Sequence, residues 1–136
     1  MDILAVERVS RLLGARGRRF AARMLSPAEL AGFDAAGWPV ERQAEFLAGR
    51  FAAKEAVAKA IGTGVSQLGL RRIEVSGSGR APACRLLDQA AAIAARRGVS
   101  RVLLTITHDA GVAAAMAVAL GPAGRGDEDV PASDIV

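Results

Sequence analysis

The sequence predicts an α+β domain in which a helical N-terminal half packs on one face of an antiparallel sheet. Apolar residues recur at helical spacing through residues 5–61, and helix start and stop signals divide that stretch. From residue 73 onward the pattern changes to short alternating segments typical of strands, with one alanine-rich helix among them. The length of 136 residues suits one core. We therefore expect a single domain over residues 1–120.

The first elements are read from apolar spacing and capping residues. A short extended start is expected at residues 2–6, followed by an amphipathic helix over 5–15. Phe20 and Met24 recur at helical spacing and predict a short second helix. Residues 26–29, Ser-Pro-Ala-Glu, form a capping box with proline at the first helical position. A third helix therefore begins there.

One long helix is expected to follow. Residues 37–39, Gly-Trp-Pro, end the third helix, and residues 40–61 contain neither proline nor a run of turn-forming residues. Gly62 is a natural C-terminal stop. The side chains that we expect to face the core are Phe46, Leu47, Phe51, Val57 and Ile61.

The second half predicts two pairs of strands with a helix between them. The helix covers residues 87–97 and ends at Gly98. Residues 108–111, His-Asp-Ala-Gly, predict a tight hairpin turn between the last two strands. Residues 121–136 are rich in Gly, Pro and acidic residues, so we expect a disordered tail. The predicted strands are 73–75, 83–86, 102–107 and 112–120.

Composition excludes several classes of protein. The single cysteine, Cys84, rules out an intramolecular disulfide. No apolar run reaches about 18 residues, so no transmembrane helix is expected. The N-terminus lacks the apolar segment of a signal peptide, and we expect a cytoplasmic protein without a membrane partner.

Charge predicts an acidic partner. The formal net charge is +4, and residues 1–24 carry six arginines against Asp2 and Glu7. Nucleic acid is the generic candidate, and an acidic protein or a phosphate-rich small molecule fits the charge equally well. The chain has four Phe, one Trp and no Tyr. This scarcity of aromatic residues weakens the case for a platform that stacks single-stranded bases.

The segment 50–64, Arg-Phe-Ala-Ala-Lys-Glu-Ala-Val-Ala-Lys-Ala-Ile-Gly-Thr-Gly, combines charge with apolar residues. Glu55 lies one helical turn before Lys59, so the two charges share one edge of the helix. The simplest interpretation of such a spacing is an exposed ion pair that contributes little to stability.

The same segment is similar to the signature of the holo-acyl-carrier-protein synthases, the small 4′-phosphopantetheinyl transferases. Three further stretches, 2–9, 25–30 and 105–109, agree in the family's order, and the resemblance covers residues 2–120. It implies the phosphopantetheinyl transferase fold, assembled as a homotrimer with active sites at the subunit boundaries. The implied reaction, in fatty acid or polyketide synthesis, moves the 4′-phosphopantetheine arm of coenzyme A to a serine of apo-acyl carrier protein and releases adenosine 3′,5′-bisphosphate.

The resemblance also implies roles for individual residues. Asp2 and Glu55 match the family's metal-binding positions, and Mg²⁺ is the implied cofactor. Lys59 would neutralise the pyrophosphate, and His108 would contact coenzyme A. We count Glu55, Lys59 and His108 as catalytic candidates. The general base stays open between Glu55 and a water molecule beside it.

Further positions are candidates for binding coenzyme A. Lys59 and His108 belong to this set as well. Arg50 and Lys54 share a helix with Lys59, and we expect them to contact other phosphates of coenzyme A. Gly62, Thr63 and Gly64 would let the chain approach the ligand closely.

The arginine-rich start provides a candidate docking surface, because acyl carrier proteins are acidic. Charged side chains would steer the carrier and two apolar side chains would anchor it. This predicted docking surface consists of Arg8, Arg11, Arg16, Arg19, Phe20 and Met24.

Two other interpretations stay open at this point. The family has a longer strand before the first aspartate, whereas only Met1 precedes Asp2 here. The chain could therefore be a non-catalytic relative that binds coenzyme A or carrier protein and has a truncated N-terminus. A small basic nucleic-acid-binding protein is the other alternative, but positive charge that accompanies a carboxylate pair argues against it, so we expect no nucleic-acid partner.

Overall fold

The computed structural model describes residues 1–77 and 81–122. It confirms the α+β class, with helices first and antiparallel strands concentrated later in the chain. A short 3₁₀ turn at Leu70–Arg72 precedes β2. In chain order the other elements are β1 (Asp2–Ala5), α1 (Val6–Arg16), α2 (Arg18–Met24), α3 (Pro27–Ala36), α4 (Val40–Ile61), α5 (Val65–Leu68), β2 (Ile73–Ser76), β3 (Ala83–Leu86), α6 (Gln89–Arg96), β4 (Arg101–Asp109) and β5 (Val112–Leu120).

The strands form two sheets rather than the one that the sequence predicted. β5 lies in the middle of an antiparallel three-stranded sheet, between β1 and β4. The hairpin of β2 and β3 forms a separate two-stranded sheet. In the larger sheet Asp2 lies opposite Ala115, and Ala115 lies opposite Ile106. The extended start of the chain is therefore an edge strand of the main sheet.

The helix α4 is the centre of the core. Its 22 residues match the predicted bounds, and Leu47, Val57 and Ile61 are buried as expected, whereas Phe46 and Phe51 are only partly buried. Small residues bring it close to the sheet. A Cβ atom added at Gly49 would lie 3.3 Å from a methyl carbon of Ile106. Such tight packing fixes the height of α4 above β4 and β5.

The predicted helix boundaries are confirmed by their hydrogen bonds. The hydroxyl of Ser26 accepts the N–H of Glu29 at 3.2 Å, and the carboxylate of Glu29 accepts the N–H of Ser26 at 2.8 Å. At the other boundary Gly62 adopts φ +90°, and its N–H donates to the carbonyls of Ala58 and Lys59. The sequence did not indicate α5, which is a single turn after Gly64.

The last hairpin is tighter than predicted. β4 runs through His108 and Asp109, so the turn consists of Ala110 and Gly111 alone. Both residues have positive φ, +51° and +77°. Two successive left-handed residues give the turn that matches the twist of paired strands. His108 is therefore a strand residue and not a turn residue.

One face of the main sheet is not covered within the chain. The face opposite α4 exposes apolar side chains from all three strands. Their exposed fractions are 61% for Ile3, 43% for Leu103, 52% for Met116 and 47% for Val118. Exposed apolar surface on this scale indicates a contact surface.

The helices within residues 1–77 and 81–122 include none with the length and apolar character of a membrane span. The predicted tail at 121–136 falls, apart from Gly121 and Pro122, outside the described residues. The predicted domain boundary at residue 120 therefore stays a prediction.

Candidate active site

The main sheet carries Asp2 to the side of α4. Side chains of a strand alternate between the two faces, so Asp2 and the buried Leu4 point the same way. Ile3 points to the opposite, exposed face. The register with β5 therefore places the Asp2 carboxylate against the C-terminal half of α4.

Lys59 of α4 meets that carboxylate. Its Nζ atom donates to Oδ1 of Asp2 at 2.9 Å. The Asp2 side chain is 12% exposed and that of Lys59 is 59% exposed. This hydrogen bond is the main reason why the pKa of Lys59 is raised. The spacing on the helix predicted Glu55 as the ion-pair partner of Lys59, and that prediction is wrong. The partner is Asp2, which lies 57 positions away in the sequence.

Glu55 lies beside the same two groups. Burial raises its pKa most, and the charge of Asp2 and a hydrogen bond with it raise it further. The positive charges of Lys59 and Arg8 act in the opposite direction. Two carboxylates held close enough to repel each other favour a cation between them. The structure thus brings together Asp2, Glu55 and Lys59, three of the predicted site residues.

The two carboxylates of Asp2 and Glu55 suit Mg²⁺ better than they suit a metal whose ligands all come from the protein. Within the part of the chain that the structure describes, no group of three or more His, Cys, Asp or Glu side chains is placed to hold a metal ion. Magnesium commonly takes one or two carboxylates and completes its shell with phosphate oxygens and water. Asp2 and Glu55 could supply that pair of ligands.

Lys54 does not belong to the site, and the prediction that it binds a phosphate of coenzyme A is wrong. Its side chain is fully buried, and burial lowers its pKa although Glu29 acts in the opposite direction. The ammonium donates to Oε1 of Glu29 at 2.6 Å and to the carbonyls of Met24 and Leu70 at 2.7 and 3.0 Å. All three donors are used inside the protein, so none remains for a ligand.

The buried pair fixes α4 to its neighbours. The second carboxylate oxygen of Glu29 accepts the N–H of Val75 in β2 at 3.2 Å. The hydroxyl of Ser26 donates to Glu74 at 2.8 Å. One buried network therefore joins α3, α4 and β2 immediately beside Glu55 in the chain. Its signal in the sequence is the spacing Leu47, Lys54, Ile61, which puts the lysine on the inward face of α4.

Arg50 points away from the carboxylates. It precedes Glu55 by five residues, so the two side chains leave the helix about 140° apart. The guanidinium stacks over Phe46 at 4.6 Å and lines a recess with Trp38 and Glu74. Its Nε atom is buried and finds no hydrogen-bond acceptor among the described residues. Burial lowers the pKa of Arg50, whereas the charge of Glu29 acts in the opposite direction.

The turn at residues 62–64 follows Lys59 directly. The N–H groups of Gly62 and Thr63 already donate to carbonyls of α4, so neither is free to hold a phosphate. The carbonyl of Gly62 accepts a hydrogen bond from Arg97 at 2.9 Å. The turn therefore leaves room for a ligand to approach but offers it no N–H donor from Gly62 or Thr63, as expected for the C-terminal end of a helix.

His108 is exposed on β4, on the face that α4 covers. It lies opposite Ala113, which lies opposite Leu4 of β1. Two strand spacings of about 4.8 Å each therefore separate its strand from that of Asp2. Within one chain the structure does not bring His108 or Arg50 to Asp2 and Glu55.

The predicted docking surface is largely exposed. Arg8, Arg16 and Arg19 are exposed and make no ion pair with another described residue, whereas Arg11 pairs with Glu7 at 3.1 Å. Phe20 is half-buried and lines a small recess with Leu4, Arg8 and Phe51.

Met24 is not an anchor for a partner. Its side chain is 1% exposed because the end of α2 packs into the core, so that part of the prediction is wrong.

Comparison with known proteins identifies the family. A family model described as the 4′-phosphopantetheinyl transferase superfamily matches residues 1–117. The holo-[acyl-carrier-protein] synthase of Anaeromyxobacter sp. (strain K) is 44% identical over 124 residues, covering 89% of this chain and 93% of that protein.

Solved structures agree over nearly the whole chain. The crystal structure of holo-[acyl-carrier-protein] synthase from Neisseria meningitidis superimposes with a TM-score of 0.77 at 36% identity, covering 88% of this chain and 94% of that one. The Helicobacter pylori synthase in complex with coenzyme A gives a TM-score of 0.72 at 28% identity, covering 88% and 96%.

Proposed function

We propose a function from the premise that the chain belongs to the 4′-phosphopantetheinyl transferase superfamily and is an enzyme of the holo-[acyl-carrier-protein] synthase family. The proposed reaction transfers the 4′-phosphopantetheine arm of coenzyme A to a serine of an apo-acyl carrier protein. The Helicobacter pylori relative binds coenzyme A, which supports the same donor here. The single observation that carries the proposal is the meeting of Asp2, Glu55 and Lys59 between β1 and α4.

In this reaction the serine oxygen attacks the phosphorus that carries the pantetheine arm. A bond forms between that oxygen and phosphorus, the phosphoanhydride bond breaks, and adenosine 3′,5′-bisphosphate leaves with the electron pair. Transfers of this kind depend on positioning and charge neutralisation more than on covalent help from the protein. Mg²⁺ held by Asp2 and Glu55 would supply a Lewis acid that neutralises the pyrophosphate.

The protein's own residues then have distinct tasks. Lys59 donates to Asp2 through an exposed ammonium, and it can turn toward the phosphate oxygens when the substrate binds. The serine proton would pass to Glu55 directly or to a water molecule beside it, and the water is the better acceptor while Glu55 holds a cation.

The remaining candidates need a second copy of the chain. Arg50 leaves α4 on a different side from Glu55, and His108 lies two strands away from Asp2, yet both are cationic or polar groups suited to coenzyme A. The exposed apolar face around Leu103, Met116 and Val118 offers a surface for self-association. We therefore propose a homotrimer in which Arg50 and His108 of one protomer complete the site of the next.

Carrier recognition falls to the positive surface of α1 and α2. Arg8, Arg11, Arg16 and Arg19 would steer an acidic carrier toward the site, and Phe20 would provide an apolar contact. Since rim charges act mainly through long-range attraction, added salt should raise the KM for carrier protein and leave the KM for coenzyme A unchanged.

Mass spectrometry tests the proposal directly. Apo-acyl carrier protein incubated with the enzyme, coenzyme A and Mg²⁺ should gain about 340 Da, the mass of the transferred arm. Chelation of the metal should abolish the gain. The variant Asp2→Asn should abolish it as well, whereas Glu41→Gln, which removes an exposed carboxylate from the first turn of α4, should not. An unchanged carrier mass with the unaltered enzyme would refute the proposed activity.

A further inference from the structure

A groove lined by three arginines lies between the end of α2, the single turn α5 and the 3₁₀ turn before β2. Arg23 lies on α2, and Arg71 and Arg72 lie on the 3₁₀ turn. The groove has a volume of about 540 Å³, and no acidic side chain of the described residues lines it. We call it the arginine groove.

Backbone contacts hold two of its side chains in place. The Nε atom of Arg71 donates to the carbonyl of Leu25 at 3.4 Å, which leaves the outer nitrogens of its guanidinium free to face solvent. Arg72 lies along Gly69, where an added Cβ would come within 3.4 to 3.7 Å of the arginine side chain. Gly69 has φ +86°, a conformation that favours glycine, and it leads directly into the 3₁₀ turn that carries Arg72.

The positive charge of the groove is not balanced by neighbouring carboxylates. None of Arg23, Arg71 and Arg72 forms an ion pair with another residue of the described ranges 1–77 and 81–122. Arg23 and Arg71 are exposed. Three cations that share one concave surface raise the local positive potential and favour an acidic partner.

The groove continues the surface proposed for the carrier protein. Arg19 and Arg23 are four residues apart on α2, so their side chains lie on the same face of that helix. The end of α2 in turn contacts the 3₁₀ turn, which carries the other two arginines. Within the described residues, unpaired positive charge therefore extends along α2 from Arg19 to the groove, whereas Arg18 of the same helix is paired with Asp34.

An extended acidic protein surface fits this site better than a small anion. A phosphate site usually gathers buried donors around one point, whereas Arg23 and Arg71 are exposed and the groove is wide and open to solvent. We propose that the arginine groove is a second contact region for the acidic acyl carrier protein, a conclusion that rests on the proposed transferase function. The carrier would then contact both the docking surface on α1 and α2 and the 3₁₀ turn.

Steady-state kinetics with Arg71→Glu test the proposal. The KM for apo-acyl carrier protein should rise about tenfold, while kcat and the KM for coenzyme A stay within about twofold of the unaltered enzyme. The salt dependence of the carrier KM should also become weaker. Arg96→Glu provides the matched control, because it reverses an exposed arginine on α6, outside the groove. Its carrier KM should stay within about twofold.

A second variant, Arg71→Ala, removes the charge without reversing it and should raise the carrier KM about threefold. The proposal is overturned if both Arg71 variants match Arg96→Glu in their carrier KM. It is equally overturned if the KM for coenzyme A rises instead, since the groove would then bind a phosphate of the small substrate. An unaltered enzyme that transfers nothing would refute the transferase function itself. Normal transfer that Arg71 does not affect would refute the groove alone.

Discussion

Two lysines of α4, five residues apart, have opposite surroundings. Lys54 is fully buried and donates to three protein oxygens, whereas Lys59 is 59% exposed and donates to Asp2 alone. Both are paired with a carboxylate from a distant part of the chain. The first pair joins α3 and β2 to the core, and the second leaves its donors accessible to a ligand. Burial and the number of acceptors therefore separate a structural lysine from one that is available for chemistry.

The largest expected effect is on the buried pair. Replacing Lys54 with Met leaves the Glu29 carboxylate buried without its cation, which should lower the free energy of unfolding by about 3–5 kcal/mol. Replacing Lys59 with Met removes an exposed pair, whose loss should cost about 1 kcal/mol or less. Urea unfolding followed by circular dichroism measures both. Equal losses of stability would contradict the distinction between the two lysines.

Changes to the carboxylate pair of Asp2 and Glu55 should reduce activity strongly and stability little. We expect Glu55→Gln to reduce the transfer rate about 1,000-fold, because a metal that neutralises a phosphate contributes several kcal/mol. Unfolding should be little affected, since Glu55 is only half-buried. The rate of arm transfer to the carrier measures the first effect, with Glu41→Gln as the control. A Glu55→Gln enzyme with near-normal turnover and the same need for Mg²⁺ would exclude Glu55 from the site.

The sequence predicted the bounds of α4 but did not distinguish the surroundings of Lys54 from those of Lys59. Residues 40–61, the capping box and the carboxylate pair were all predicted from the sequence, because local spacing and the family motif determine them. The environment of Lys54 depends on Glu29, 25 residues earlier, and on carbonyls from α2 and the 3₁₀ turn. Such contacts are set by tertiary packing. Their only signal in the sequence is the seven-residue spacing that places Lys54 on the same helix face as Leu47 and Ile61.

The same limit applies to the pairing of Lys59 and to the sheets. A spacing of four residues suggested Glu55 as its partner, but the register of β1 on β5 brings Asp2 closer. Strand pairing between the two ends of the chain leaves little local signal. The division into two sheets was missed for the same reason.

Removing the charge of Lys59 should have an intermediate effect on catalysis. We expect Lys59→Ala to lower kcat about 100-fold, the usual loss when one charged donor to the transition state is deleted. The KM for coenzyme A should change much less. Measured kinetics of Lys54→Arg, which keeps the buried charge, supply a comparison within the same helix. A change in KM with kcat intact would instead make Lys59 a simple binding residue.

Subunit mixing should test whether the separated residues meet between protomers. Enzymes carrying Asp2→Asn or the pair Arg50→Ala and His108→Ala should each be inactive. Co-expressed and purified together, they should regain about a quarter of normal activity, because random assembly of a cyclic trimer restores that share of sites. A mixture as inactive as its components would show that each site is built from one chain.

The smallest effect concerns stability without metal. The pKa of Glu55 is raised above its ordinary value of 4.5, chiefly by burial and then by Asp2. The folded state therefore favours the protonated form, and that contribution is present at low pH and lost as pH rises through the raised pKa. In a chelating buffer, unfolding measured from about pH 4 to pH 7 should show this loss in the unaltered protein and its absence in Glu55→Gln.

In the proposed site, Asp2 and Glu55 together hold one divalent ion between β1 and α4. Titration of the protein with Mn²⁺ in the presence of coenzyme A, followed by electron paramagnetic resonance, tests it most directly. We predict one bound ion per chain, lost in both Asp2→Asn and Glu55→Gln and retained in Glu41→Gln. Binding that is equally tight in all four proteins would contradict the claim.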